Sequence, residues 1–331
     1  MKKFISLLFV LVIIIPFIYT VSPGHTAAKN NNQQLKKQYK KKTVSNRRTK
    51  TSRQRIQTIA RNPYLGAIVI DASTNKVLFE DNADAKGYPA SVVKLMNFLI
   101  ILEAVEAKKI SLDDKITISA DVAKIGGSQV YLKENEVHTV DNLLYALMVQ
   151  SANDAASALA LHYKGDKDEF VRIMNKRARE LGMHDTSFHS VHGLPPAKGQ
   201  LPDVSTPRDI TKLCLEVLKH QNALKYTSTK KRIFRAGAKP FVIRNHNHLV
   251  GNFKGCDGLK TGYFRAAGFS IAATASKNGR RTVAVILGSV DRRVRDAKAR
   301  NLLSLGFMEI DADLSRSRAF ADNENPAIVN E

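Results

Sequence analysis

Three short clusters carry side chains that could act on an acyl group. Ser91-Val92-Val93-Lys94 sets a hydroxyl and an amine at i, i+3, one turn apart on one helix face. A serine at a helix N-terminus gains from a dipole that favours developing negative charge. A lysine stripped of water near other cations loses its proton and becomes a base. The two make a nucleophile and its general base. Ser151-Ala152-Asn153 offers a second hydroxyl to relay a proton and an amide to hold a substrate carbonyl. Lys260-Thr261-Gly262 offers a cation, a hydroxyl and a position without a side chain, beside which another backbone passes. On an edge strand this third cluster would take an extended peptide by strand addition, with the peptide's terminal carboxylate on Lys260 and Thr261.

Each cluster alone also has a plainer reading. Ser91 and Asn153 are good helix caps, and Lys260 could simply open a strand. S-x-x-K recurs at Ser73 to Lys76, inside a turn, and at Ser228 to Lys231, in a polar stretch. Only Ser91 heads a long apolar run. What separates the chemical reading from the plain one is the ordered triple, with gaps of 60 and 109 residues and each member in a fitting local setting.

The elements that must position these clusters follow from pattern. Leu65 to Asp71 and Lys76 to Glu80 are apolar runs joined by the polar Ala72-Ser73-Thr74-Asn75, a β-hairpin. Val92 to Ala107 is apolar on nearly every face, which predicts a core helix, with Pro89 harmless before its start. Helices are predicted over 142–149 and 155–163, split by the second cluster, then over 170–181 and 206–220. Leu259 to Phe264, Gly268 to Ser276 and Arg281 to Ser289 read as strands, the last two joined by an Asn-Gly turn. Arg292 to Phe307 reads as a closing helix, with a polar tail over 311–331. Strands at both ends and helices between predict an α+β domain: one antiparallel sheet built from both chain ends, with a helical subdomain inserted.

Length and charge bound the rest. The chain has 331 residues, 44% apolar and 25% charged, as a soluble globular domain has. Its net charge of +22 is uneven, because residues 1–70 hold 14 Lys and Arg and no acidic residue. Residues 1–28 have the short basic start, apolar stretch and small-residue end of an export signal. Residues 29–60 read as a basic, disordered linker, leaving 61–310 as the catalytic domain. The basic run over 29–57 has two readings, a solvated linker or electrostatic attachment to lipid headgroups or anionic wall polymers. Nucleic acid is not expected as a partner, since the signal directs the segment away from it and no aromatic stacking pattern accompanies the charge. His184, His189, His192, His246 and His248 fall in no metal-binding frame, so no metal and no cofactor is expected. Cys214 is placed on the apolar side of a helix and Cys256 in a loop near Lys260, and their pairing is open.

The ordered clusters resemble those of the low-molecular-weight penicillin-binding proteins, the serine D-alanyl-D-alanine carboxypeptidases. The likeness runs from about Leu65 to Phe307. It extends to Pro89-Ala90-Ser91, to Leu147 through Ala156, and to Leu181-Gly182-Met183, His192-Gly193-Leu194 and Ala267-Gly268-Phe269. It implies the β-lactamase/transpeptidase-like fold. It also implies that Ser91 is acylated, that Lys94 is its base, and that Ser151 and Asn153 are relay and substrate contact. Lys260 and Thr261 become the carboxylate site, Gly262 the close-approach residue, and the backbone N–H groups of Ser91 and Tyr263 the oxyanion hole. The implied substrate is a peptidoglycan stem peptide ending in D-Ala-D-Ala, and β-lactam antibiotics are implied covalent inhibitors. The implied location is the periplasmic or extracellular wall space, with membrane association through the N-terminal segment left open.

Three departures qualify the likeness. Ala152 stands where many carboxypeptidases have Gly. His246 falls near the place where some members carry an Arg close to the substrate carboxylate. The chain ends soon after the closing helix, so neither a second β-rich domain nor a C-terminal amphipathic anchor is expected. Asn245 to Val250 is closer to the endopeptidase branch, which cuts cross-links between stem peptides, and both branches stay open. A class A β-lactamase would need a deacylating Glu in an E-x-x-L-N loop after the second cluster, and none occurs between Asn153 and Lys260. A degenerate wall-binding module is at odds with an intact Ser91 and Lys94.

Overall fold

The computed structural model describes residues 57–324, with side chains to residue 317. The export signal and nearly all of the basic linker lie outside the described residues. The chain opens with the expected hairpin, β1 (Gly66–Asp71) and β2 (Val77–Asp81). Its turn is tied by Asp71 Oδ1, which accepts from both the N–H and the hydroxyl of Ser73. A single 3₁₀ turn over Ala90–Val93 precedes α1 (Lys94–Glu106). Residues 94–102 of α1 are all buried, so the run that is apolar all round is indeed enclosed by protein.

The inserted helical region follows: β3 (Lys115–Thr117) and β4 (Val137–Thr139) pair, then come α2 (Val140–Val149), α3 (Asn153–Lys164) and α4 (Lys167–Glu180). A long irregular segment leads to α5 (Pro207–Lys219), whose Thr206 cap accepts from the Asp209 N–H. A second small ladder, β5 (Lys231–Arg235) with β6 (Phe241–Arg244), precedes the sheet strands. Both small ladders escape a sequence reading because strands of three to five residues, mostly exposed, leave too few apolar positions to show a period.

The remaining strands are β7 (Cys256–Phe264), β8 (Gly268–Lys277) and β9 (Arg280–Ser289), closed by α6 (Arg292–Glu324). The five-stranded sheet runs β2-β1-β9-β8-β7, antiparallel throughout. The first hairpin therefore pairs with the last strand, Gly66 opposite Leu287. Both faces of the sheet are covered, and the period-2 alternation divides the core in two. Ile68, Ile70, Val283, Val285 and Leu287 face α1, α5 and the inserted helices. Ala67, Val69, Ala284 and Ile286 face α6 through Leu303 and Phe307. The arrangement is the expected α+β one.

Three local expectations change. Cys256 opens β7 rather than sitting in a loop, where its backbone N–H bonds to Phe253. No disulfide joins Cys214 and Cys256; both are buried thiols. The closing helix continues past Phe307 to Glu324, with Ile310 buried on it and surface ion pairs beyond. Asp311 meets Lys277, and Asp313 meets Lys76 and Arg316.

Candidate active site

Ser91 lies in the 3₁₀ turn that feeds α1, and Lys94 is the first residue of the helix proper. Ser91 is half-buried while Lys94 is fully enclosed. Lys94 Nζ sits 2.9 Å from Ser91 Oγ and donates to the His192 carbonyl at 2.6 Å. Burial, then the nearby charge of Lys260, holds the Lys94 pKa well below the usual lysine range. An amine without its proton at 2.9 Å is placed to take the hydroxyl proton of Ser91.

The third cluster lies on β7, the edge strand of the sheet. It packs against the serine turn at a contact that only glycine permits. A Cβ on Gly262 would fall 2.4 Å from the Pro89 carbonyl oxygen and 3.0 Å from the Ser91 nitrogen. The strand and the backbone of Ser91 are thus in close contact, across 171 positions of sequence. Lys260 is as buried as Lys94, and its Nζ donates to the Thr261 carbonyl at 2.9 Å. Burial and the Arg295 charge bring its pKa down to about 7. Tyr263 follows on the strand, 54% exposed and stacked at 4.1 Å on Phe269 of β8.

The second cluster closes the opposite side. Ser151 occupies the break between α2 and α3 in a left-handed conformation, φ 60°. Asn153 does not cap α3; the cap position is Ala152, and Asn153 begins the helix. Its Nδ2 donates to the Gly126 carbonyl at 2.8 Å, and its Oδ1 is buried with no partner among the described residues. Beside it, Asp154 accepts from the N–H groups of Val130 and Leu132. That buried carboxylate fixes the loop carrying Ser128, whose hydroxyl donates to the Gln150 carbonyl.

A cavity of about 430 Å³ joins the three clusters. Ser91, Ser151, Thr261, Gly262 and Tyr263 line it, together with Ser128, His246 and Arg295. Asn153, Lys94 and Lys260 lie behind that lining. Arg295 went unseen in sequence because it is one of five basic residues between 292 and 300, a pattern that reads as a solvated helix face. It is only 3% exposed, with Nε and Nη2 on Asp296 Oδ1 and Nη1 on the Ser270 carbonyl. His246 is held to about 4 by burial and then by Lys260, so it is a neutral wall of the pocket near pH 7. Among the described residues, Glu103, Glu216 and His220 bring ligand atoms within 4.8 Å of one another, but the Arg177 guanidinium already pairs with both glutamates.

Comparison with known proteins gives the family and the fold. DacF of Bacillus subtilis, a D-alanyl-D-alanine carboxypeptidase, is 35% identical over 244 residues, 73% of this chain and 62% of the relative. DacC of Escherichia coli is 35% identical over 246 residues, 72% of this chain and 60% of the relative. The chain thus spans about 60% of the length of the curated relatives it matches. Among solved structures, penicillin-binding protein D2 of Listeria monocytogenes in its ampicillin-bound form superposes with a TM-score of 0.66. It is 30% identical, covering 74% of this chain and 97% of that one. DacD of Francisella tularensis superposes with a TM-score of 0.69 at 26% identity, covering 76% of this chain and 73% of that one. The family model for D-alanyl-D-alanine carboxypeptidases matches residues 50–291, a span that takes in the serine turn, the α2–α3 break and the glycine contact of β7, and the chain belongs to that family.

Proposed function

We propose that the chain is an exported serine D-alanyl-D-alanine carboxypeptidase acting on peptidoglycan stem peptides. The observation that carries this reading is the 2.9 Å approach of Ser91 Oγ to the Lys94 amine, whose pKa burial holds well below the usual lysine range. Lys94 takes the Ser91 proton as Oγ attacks the carbonyl of the terminal D-Ala–D-Ala bond. The backbone N–H groups of Ser91 and Tyr263 receive the charge that develops on the carbonyl oxygen. The proton passes through the Ser151 hydroxyl to the leaving nitrogen, the bond breaks, and D-alanine departs. Water then attacks the acyl-Ser91 ester and frees the shortened peptide. Lys260, Thr261 and Arg295 hold the terminal carboxylate, and Asn153 meets an amide of the peptide.

β-Lactams follow the same attack, but their leaving nitrogen stays tethered to the acyl group, so the adduct persists. The ampicillin-bound form of the Listeria neighbour supports this. Export is supported by residues 1–28, and attachment to anionic wall polymer or lipid by the basic run over 29–57. A second reading is a DD-endopeptidase with the same chemistry. It is favoured by exposed His248 and Arg292 in the lining of the cavity, where a leaving group larger than alanine would lie.

The test is labelling with a fluorescent penicillin followed by mapping of the modified peptide. Label on Ser91, absent in Ser91→Ala, is expected. Label elsewhere, or none, overturns the reading. Release of D-alanine from a pentapeptide, against cleavage of a cross-linked dimer, separates the two activities.

A further inference from the structure

The segment between α4 and α5 contains a buried carboxylate with no part in the steps above. Asp203 is 6% exposed. Its Oδ1 accepts from the N–H groups of His189 (2.6 Å) and Ser190 (2.9 Å), and its Oδ2 accepts from the Ser190 hydroxyl at 2.7 Å. Burial raises the pKa of this carboxyl, and the bonds from His189 and Ser190 pull it back down; with both oxygens serving only as acceptors, the bonding is that of the ionised form. Burying such a group is costly, so its bonds must fix something.

What they fix is the turn over 190–193. Ser190 Oγ, oriented by Asp203, accepts from the Gly193 N–H at 2.8 Å. Between these two residues, the His192 carbonyl accepts from Lys94 Nζ. Gly193, at φ +78°, presses on the other half of the pair: a Cβ there would fall 2.0 Å from the Ala90 carbonyl oxygen and 3.0 Å from the Ser91 nitrogen. The turn therefore touches both the base and the backbone of the nucleophile. On its far side, Asn97 Nδ2 holds the Val191 carbonyl at 3.0 Å. Asp203 itself is anchored, since Val204 bridges Ser187 and Ser205 bridges Gly87, four residues before Ser91.

We propose that Asp203, acting through Ser190 and the His192 carbonyl, is a positioning residue for the general base Lys94. Two effects are separable. The hydrogen-bonded strut sets where the amine points. The negative charge, with that of Asp154, opposes the proton loss that burial and Lys260 impose on Lys94. His192 and His246 also face Lys94, but their pKa values of about 3 and about 4 leave both neutral over the working range.

The inference rests on the Ser91–Lys94 reading, and two variants test it by acylation kinetics with a chromogenic β-lactam across pH. Ser190→Ala removes the strut and keeps the charge. The acylation rate constant is expected to fall about 10- to 100-fold, the cost of a misplaced reacting group, with non-covalent affinity and the acid limb unmoved. Asp203→Asn keeps both backbone bonds through Oδ1, turns the Ser190 contact round so that Nδ2 donates to Oγ, and removes the charge. Its acid limb is expected to move to lower pH, because Lys94 then gives up its proton more readily. Thermal melts accompany both. A lower Tm with wild-type acylation and a wild-type pH profile in both variants makes Asp203 merely structural and overturns the inference. If Asp203→Asn does not fold, Ser190→Ala decides alone. If the wild type is not acylated at Ser91, it is the underlying reading that fails instead.

Discussion

The head of α1 and the edge of the sheet each bury a lysine completely, and the two regions use it in opposite ways. Lys94 has a hydroxyl and a carbonyl at hydrogen-bond distance, so an uncharged amine is fully partnered there. Lys260 has one carbonyl partner, and after burial the charge of Arg295, another cation, lowers its pKa further. Arg295 is itself paired with Asp296, so Lys260 is the cation of this region without a carboxylate partner among the described residues. On the proposed reading, the same desolvation makes one lysine a base and the other a receptor for a carboxylate. What differs is the neighbour, a nucleophilic hydroxyl in one case and a guanidinium in the other.

The strongest way to break this comparison is to remove the base. Lys94→Ala is expected to lower the acylation rate by about 10²- to 10⁴-fold, the usual contribution of a positioned proton acceptor. Retention of more than a tenth of the rate would mean that another group serves as base. Next is the joint between the two regions. Gly262→Ala drives a methyl into the Pro89 carbonyl and must part β7 from the serine turn. Acylation and Tm should fall together, whereas loss of stability with an unchanged rate would show that the contact does not align the site.

Lys260→Met sharpens the contrast. Loss of one charge-assisted bond, worth about 1.5–3 kcal/mol, should weaken kcat/KM for a free-carboxylate peptide by about 10- to 150-fold. The same peptide with an amidated C-terminus should be almost unaffected. An equal loss on both would place Lys260 in the chemistry rather than in recognition. The smallest effect is in the pH profile. Lys260 is charged below its pKa of about 7 and loses the charge as pH rises through it. The kcat/KM for carboxylate substrates should therefore decline above about pH 7, and that limb should vanish in Lys260→Met. The Lys94 limb lies on the acid side, since activity requires its unprotonated form.

The candidate residues that the structure gathers around one cavity are legible in sequence because each occupies a local setting that pattern reveals. A serine and lysine open an apolar run, a Ser-Ala-Asn triplet interrupts a helical pair, and a Lys-Thr-Gly lies in a strand. Arg295 and Asp203 were not legible. A buried arginine among exposed ones has the same spacing as its neighbours, and Asp203 sits in a stretch with no period at all. The two short ladders were missed for want of enough alternating positions, and the length of α6 because its residues after Ile310 are mostly polar and carry no apolar period.

By itself, then, the order of residues determined which groups are present, which elements carry them and which strands alternate, since these depend on interactions between near neighbours. Only the folded chain decided that Gly262 abuts the backbone of Ser91, that both lysines lose their water, and that Asp203 is tied through Ser190 to the turn whose His192 carbonyl meets Lys94. Burial and the electric field at a site are sums over groups distant in sequence, and no local pattern contains them.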